Sequence, residues 1–132
     1  MVFFGEYHVS FTGKGRIVLP SRLREVLKEK IFVITKGFDM CLACYDKLDW
    51  ENRTQSLMNI SLLEKDQIEK RRMLFSSAVF IEIDEQGRFV VPKELIKKLG
   101  EDIKKAVIIG VGDHFEIWEE EKWGKYSSEI TI

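Results

Sequence analysis

Both prolines of the chain close the same six-residue pattern. Gly15-Arg16-Ile17-Val18-Leu19-Pro20 and Gly87-Arg88-Phe89-Val90-Val91-Pro92 each read Gly-Arg, three apolar residues, Pro, and lie 92 − 20 = 72 positions apart. At that shift Leu23 falls on Leu95 and Leu27 on Leu99, while at a shift of 73 Tyr45 falls on Trp118 and Trp50 on Trp123. One short match arises readily by chance, but not with downstream leucines and aromatics in register as well, so the chain reads as a duplication. Its fold must accommodate two similar units within 132 residues, the size of one compact domain.

Each copy predicts the same run of elements. Tyr7, Val9 and Phe11 alternate with His8 and Ser10, and Phe80, Glu82 and Asp84 alternate with Val79, Ile81 and Ile83, the period of half-buried strands. Thr12-Gly13-Lys14-Gly15 and Asp84-Glu85-Gln86-Gly87 then read as turns into a short second strand, making a hairpin. Pro20 and Pro92 cannot donate to a ladder, so that strand stops and a short helix follows, with Leu23, Val26 and Leu27, or Leu95, Ile96 and Leu99, on one face. Gly100 is a natural helix stop. Ile31 to Thr35 and Ala106 to Ile109 are buried strands, turned by Gly37-Phe38-Asp39 and Gly110-Val111-Gly112-Asp113 into further strands ending at Tyr45 and Trp118. Asp46 with Asp49, and Ser61 with Glu64, are capping-box patterns that make residues 46–73 a helical insert. A last helix starts near 119, and Ser127 to Ile132 is expected to fray. Together these predict one α+β domain made of two similar halves, each a hairpin, a short helix and two further strands, with further helices between and after them.

Charge is distributed unevenly. Lys and Arg number 21 against 22 Asp and Glu, a net charge of −1, so the whole chain announces no polyanion partner. Residues 12–24, however, hold Lys14, Arg16, Arg22 and Arg24 without an acid, a local +4, whereas residues 113–132 carry six acids against two lysines, a local −4. A glycine turn beside Lys14 and Arg16 suits a polyanion: charge holds phosphate, and a guanidinium can take guanine O6 and N7 together. Arg16 and Arg88 are equivalent in the duplication, so such a site would occur twice. Spacing alone leaves open the plainer alternative that both arginines solvate tight turns.

Gly5-Glu6-Tyr7, Lys14-Gly15-Arg16, Pro20 with Arg22 and Arg24, and Asp84-Glu85-Gln86-Gly87-Arg88 with Pro92 resemble MraZ, a family of bacterial transcriptional regulators, over nearly the whole chain. The resemblance implies a duplicated swapped-hairpin, AbrB-like β-barrel with short peripheral helices. A first AbrB-like repeat would span about 5–50 and a second about 77–123 of a single 1–132 domain. It also implies double-stranded DNA as partner and a ring of several copies. Such a ring would be cytoplasmic and nucleoid-associated, and would bind short G-rich direct repeats upstream of its own gene in the division and cell-wall cluster. Lys14, Arg16, Arg22, Gln86 and Arg88 would contact DNA, with Thr12, Gly15, Asp84 and Gly87 forming the turns. The family turn reads Asp-x-x-x-Arg in both copies, and this chain departs from it by placing Thr12 before Arg16. Threonine can bond turn backbone but cannot orient a guanidinium as a carboxylate does.

The remaining constellations favour structure over chemistry. Cys41 and Cys44 lie three apart on a strand, facing opposite ways, and read as buried thiols rather than a metal or redox pair. His8 and His114 are expected to face solvent on strands, Gly110-Val111-Gly112 is too short for a dinucleotide loop, and Trp50, Trp118 and Trp123 read as core or interface anchors. Lys70-Arg71-Arg72 is expected to end a helix, where the dipole favours cations. No metal, cofactor, small-molecule substrate or membrane is expected: no apolar run approaches the roughly 20 residues that span a bilayer, and the start MVFFGEYH, with neither a basic first segment nor a long apolar one, argues against a secretory signal. Two rival classes remain, a protein-binding, antitoxin-like module whose acidic end grips a basic partner, and an enzyme, disfavoured because no nucleophile, base and orienting group recur together.

Overall fold

The computed structural model of the chain describes residues 2–58 and 64–130. The first pass of elements comprises β1 (Glu6–Ser10), β2 (Arg16–Val18), α1 (Ser21–Arg24), β3 (Ile31–Lys36), β4 (Cys41–Asp46) and α2 (Lys47–Leu57). After α3 (Lys65–Ser76) the order repeats as β5 (Val79–Glu82), β6 (Arg88–Val90), α4 (Lys93–Leu99), β7 (Lys105–Gly110), β8 (Phe115–Glu119) and α5 (Glu120–Glu129). Period-two alternation in β1 places Tyr7 and Val9 half-inward and Glu6, His8 and Ser10 outward, as a one-sided strand requires. The apolar runs of β3, β4 and β7 are buried on both faces.

The two passes interleave. Six antiparallel strands form one sheet in the order β1-β7-β8-β4-β3-β5, while β2 and β6 form a separate two-stranded sheet. Thus β1 of the first half docks on β7 of the second, and β5 of the second half on β3 of the first. Each expected hairpin closes at its turn but not along its strands: Thr12 bridges Arg16, after which β1 and β2 part toward different partners. The closed barrel is corrected likewise. The six-stranded sheet keeps β1 and β5 as open edges, and the ribbon of β2 and β6 packs over it without closing it. The physical reason is strand length: β2 and β6 have three residues each and run into Pro20 and Pro92, which lack the N–H a longer ladder needs.

The core lies between ribbon and sheet. Ile17, Leu19, Phe89 and Val91 meet Phe32, Ile34, Leu42, Ile108, Phe115 and Ile117, all buried. Phe32 stands edge-on to Phe89 at 5.1 Å and to Phe115 at 5.2 Å, the favoured aromatic geometry. Burying each such side chain stabilises by about 1.5–3 kcal/mol, which anchors the ribbon from beneath.

Several helix expectations need correction. α1 stops at Arg24, before Val26 and Leu27, because Val26 and Leu27 N–H groups bond three residues back to Leu23 and Arg24, tightening the chain out of α geometry. Leu23 and Leu27 are nonetheless buried, and α4 buries Leu95 and Leu99 before ending at Gly100. Asp46 precedes α2 without capping it, since its Oδ1 accepts instead from the Lys28 backbone N–H at 2.9 Å. Ser61 lies outside the described residues, and Glu64 is the N-cap position of α3. Lys70-Arg71-Arg72 falls mid-helix, because α3 continues to Ser76 on the strength of its hold on the sheet, where Thr35 Oγ1 donates to the Leu74 carbonyl at 2.6 Å. α5 runs through Ser127 to Glu129 rather than fraying, its start capped by the Glu119 carboxylate, which accepts from the Glu121 and Lys122 N–H groups. Thr131 and Ile132 lie outside the described residues. Among the described residues no helix is long and apolar enough to cross a membrane.

Candidate nucleic-acid interface

The β2–β6 ribbon is the part of the fold built from both copies of the repeated pattern. Arg16 pairs with Val90, Ile17 with Phe89 and Val18 with Arg88. Residues directly across an antiparallel pair share a face, as do residues two apart along a strand, so Arg16, Val18, Arg88 and Val90 all lie on one side. Ile17 and Phe89 take the other side and are buried, whereas Val18 and Val90 are 45% and 49% exposed. The two arginines therefore stand as diagonal neighbours, with Cα atoms about 7–8 Å apart, on one exposed face. With Asp84, Phe89 and Val90 they line a shallow concavity of about 280 Å³.

Each turn is fastened to the opposite copy. The Val91 N–H donates to the Gly15 carbonyl and the Leu19 N–H to the Gly87 carbonyl, both at 2.8 Å. Gly15 and Gly87 hold φ of +80° and +82°, the left-handed region that a side chain resists. A Cβ at position 15 would also meet the Val91 carbonyl oxygen at 3.0 Å, and one at 87 the Arg24 Cδ at 2.6 Å.

Within this frame the turns differ. In the second, Asp84 Oδ1 accepts from the Gln86 and Arg88 backbone N–H groups at 2.9 and 2.8 Å, and Oδ2 accepts from Arg88 Nε at 2.7 Å. The guanidinium and then the backbone N–H of Arg88 hold the Asp84 carboxyl below the ordinary carboxylate range. In the first, Thr12 Oγ1 reaches the Arg16 carbonyl only at 3.5 Å. Among the described residues the Arg16 guanidinium makes no hydrogen bond or ion pair.

Of the residues singled out in the sequence, Arg16 and Arg88 share the ribbon face, and Lys14 and Gln86 are exposed on the two turns. Arg22 is exposed on α1, outside the concavity. Arg24, counted in the basic run but given no role, lies over Gly87. Its signal was present in the 72-residue shift: Arg24 aligns with Ile96, and Ile96 lies against Gly15 at 3.6 Å from a Cβ position there. Without knowing that each helix faces the other copy's turn, the alignment has no spatial meaning.

The other constellations are structural. Cys41 and Cys44 are buried free thiols on β4, and burial first, then the Glu116 charge, pushes Cys41 up to about 12. His8 is exposed on β1, but His114 corrects expectation. It sits in the β7–β8 turn with its side chain 14% exposed, stacked on Tyr45 at 4.8 Å. Its Nδ1 lies 2.6 Å from Asp113 Oδ1 and its Nε2 3.1 Å from Glu116 Oε2, and Arg53 Nη1 pairs with the far oxygen of Asp113 at 3.1 Å. Trp118 and Trp123 pack together at 5.3 Å, and Trp50 packs on Tyr45 and Phe75, so all three tryptophans hold helices to the sheet.

Comparison with known proteins yields one match per half. Residues 2–73 and residues 74–132 each match the family described as "MraZ protein, putative antitoxin-like". Transcriptional regulator MraZ of Acetivibrio thermocellus is 39% identical over 131 residues, spanning 99% of this chain and 90% of that protein. Transcriptional regulator MraZ of Finegoldia magna is 40% identical over 132 residues, with 99% and 90% spanned.

Proposed function

The chain belongs to the MraZ family, a family of transcriptional regulators and not of enzymes, and from that premise we propose that it regulates transcription by sequence-specific binding of double-stranded DNA. The observation that carries this reading is the common exposed face of Arg16 and Arg88 on a two-stranded antiparallel ribbon. The major groove of B-DNA, about 12 Å wide, admits such a ribbon, and guanidinium groups standing on its outer face would meet base edges and flanking phosphates. Lys14 and Gln86 extend the contact along the turns, and Arg22 adds a cation beside it. Thr12, Gly15, Asp84 and Gly87 shape the turns that present these groups. We read the interleaved halves as an AbrB-like swapped-hairpin pair, repeats of about 5–50 and 77–123 in one domain.

One ribbon covers few base pairs, so useful affinity calls for several copies engaging successive repeats together. We therefore assign the chain to a homo-oligomeric ring on short direct repeats upstream of the division and cell-wall gene cluster, in the cytoplasm and on the nucleoid. Selection of duplexes from a random pool, followed by gel shifts across a salt series, tests this. Enrichment of a repeated short motif and a steep fall of affinity with salt are expected, whereas salt-insensitive binding or no enrichment would remove the reading.

A further inference from the structure

We propose that the two turns divide recognition between them, Arg88 reading a base while Arg16 and Lys14 hold phosphate. This rests on the reading of the ribbon as a DNA-binding surface and concerns what each half of it does.

The duplicated pattern makes the arginines equivalent, and the structure makes them unequal. Asp84 holds Arg88 through Nε at 2.7 Å while its other oxygen takes two backbone N–H groups of the same turn. With Nε engaged, rotation of the guanidinium is checked and its two terminal nitrogens remain to donate, in one plane, to a two-point acceptor. Guanine O6 and N7 form such an acceptor in the major groove. A reader of bases needs its donors set before contact, because ordering them afterwards costs affinity without adding discrimination. The second turn is held further by the Gly87 carbonyl accepting from Leu19 and by Arg24 lying across Gly87.

The first turn shares the backbone fastening, its Gly15 carbonyl accepting from Val91, and lacks the carboxylate clamp. Threonine replaces the carboxylate, Arg16 makes no side-chain bond among the described residues, and the turn is positive. Residues 12–16 carry Lys14 and Arg16, +2, while residues 84–88 carry Asp84 and Glu85 against Arg88, −1. A doubly positive turn whose arginine side chain is unclamped follows phosphate oxygens at little cost. A turn of net charge −1 gains nothing from phosphates in general, and its favourable contribution is the directional contact that Arg88 makes.

The test uses the full chain and two probes, the duplex most enriched by the wild-type protein from a random 20-base-pair pool and a shuffled duplex of equal composition. Arg88→Ala should reduce the preference for the enriched duplex at least tenfold while changing shuffled-duplex affinity less than about threefold. Arg16→Ala should weaken both by a similar factor and lower the salt slope by about one. Asp84→Asn, which keeps Arg88 and removes its clamp, should lose preference without changing that slope. Replacing guanine by 7-deazaguanine in the enriched duplex should weaken wild type and leave Arg88→Ala unmoved. These positions are exposed, and unchanged thermal melts verify the fold. Equal loss of preference in Arg16→Ala and Arg88→Ala, or uniform weakening by Arg88→Ala, would overturn the division while leaving DNA binding intact. Absence of any preference in the wild type would remove the underlying reading itself.

Discussion

The Arg24 side chain lies across Gly87, so that a Cβ at position 87 would come within 2.6 Å of Arg24 Cδ. The relationship ties the helix of one copy to the turn of the other. Because the atoms that clash are the outer part of a flexible side chain, Arg24 can retreat, and the positive φ of Gly87 dominates the cost of substitution. Gly87→Ala should destabilise by about 1–2 kcal/mol in urea unfolding. Adding Arg24→Ala should recover less than about 0.5 kcal/mol of it, and full recovery would mean that crowding, not backbone strain, sets the cost.

A different glycine fails for lack of room. A Cβ on Gly110 would stand 2.2 Å from Phe4 N and 2.4 Å from Phe3 C, backbone that cannot yield while Gly110 N–H donates to the Gly5 carbonyl at 2.9 Å. Gly110→Ala should therefore pry the N-terminal segment from β7 and expose Phe3, now 3% exposed and packed on Phe115. The expected loss is about 2–4 kcal/mol, with new proteolytic cutting ahead of β1. A variant as stable and as resistant as wild type would refute the close approach.

His114 makes stability depend on pH near neutrality. Burial alone would lower its pKa, but hydrogen bonds to Glu116 and Asp113 and their charges prevail and raise it above the ordinary 6.5. A raised folded value means that the stabilisation is fully present below about 6.5 and is lost as pH rises through the folded value. Asp113 and Glu116 are lowered against burial by their bonds to His114, so their contribution is lost as pH falls through the acid range. Urea midpoints should thus be highest in mild acid and decline toward pH 8. His114→Gln should flatten the decline, and an unaltered slope would place its origin elsewhere.

Asp46 is 5% exposed, with Oδ1 accepting from the Lys28 N–H and Oδ2 without a partner among the described residues. Asp46→Ala strands the Lys28 donor and should cost about 1–3 kcal/mol. Asp46→Asn keeps the acceptor and removes a poorly compensated charge, so its cost should be smaller or its effect stabilising. Equal losses in the two variants, measured by urea unfolding, would show that the carboxylate charge itself is needed.

Much of the fold was legible because it is written locally. Alternation in β1, the apolar runs of β3 and β7 and the stops at Pro20, Pro92 and Gly100 depend on neighbours within a few residues, and the strands and helices fall where those signals lie. Side-chain hydrogen bonding was not legible. Asp46 has the spacing of a cap but finds a better donor in Lys28, 18 residues back, while Glu119 caps α5 without a capping-box partner. His114 reads as a solvent-facing residue until Tyr45, nearly seventy positions away, is stacked upon it.

The repeated Gly-Arg-apolar-Pro pattern sufficed to establish two copies, two left-handed glycine turns and an arginine after each, since period, proline and glycine act on the backbone directly beside them. Only the folded chain decided that β2 would pair with β6 instead of continuing a hairpin with β1, and hence that Arg16 and Arg88 would share one face. Strand pairing offers the same N–H and C=O groups at every edge. The choice among edges is made by which apolar side chains can be buried together at a distance along the chain, here Ile17 and Phe89 over Phe32 and Phe115.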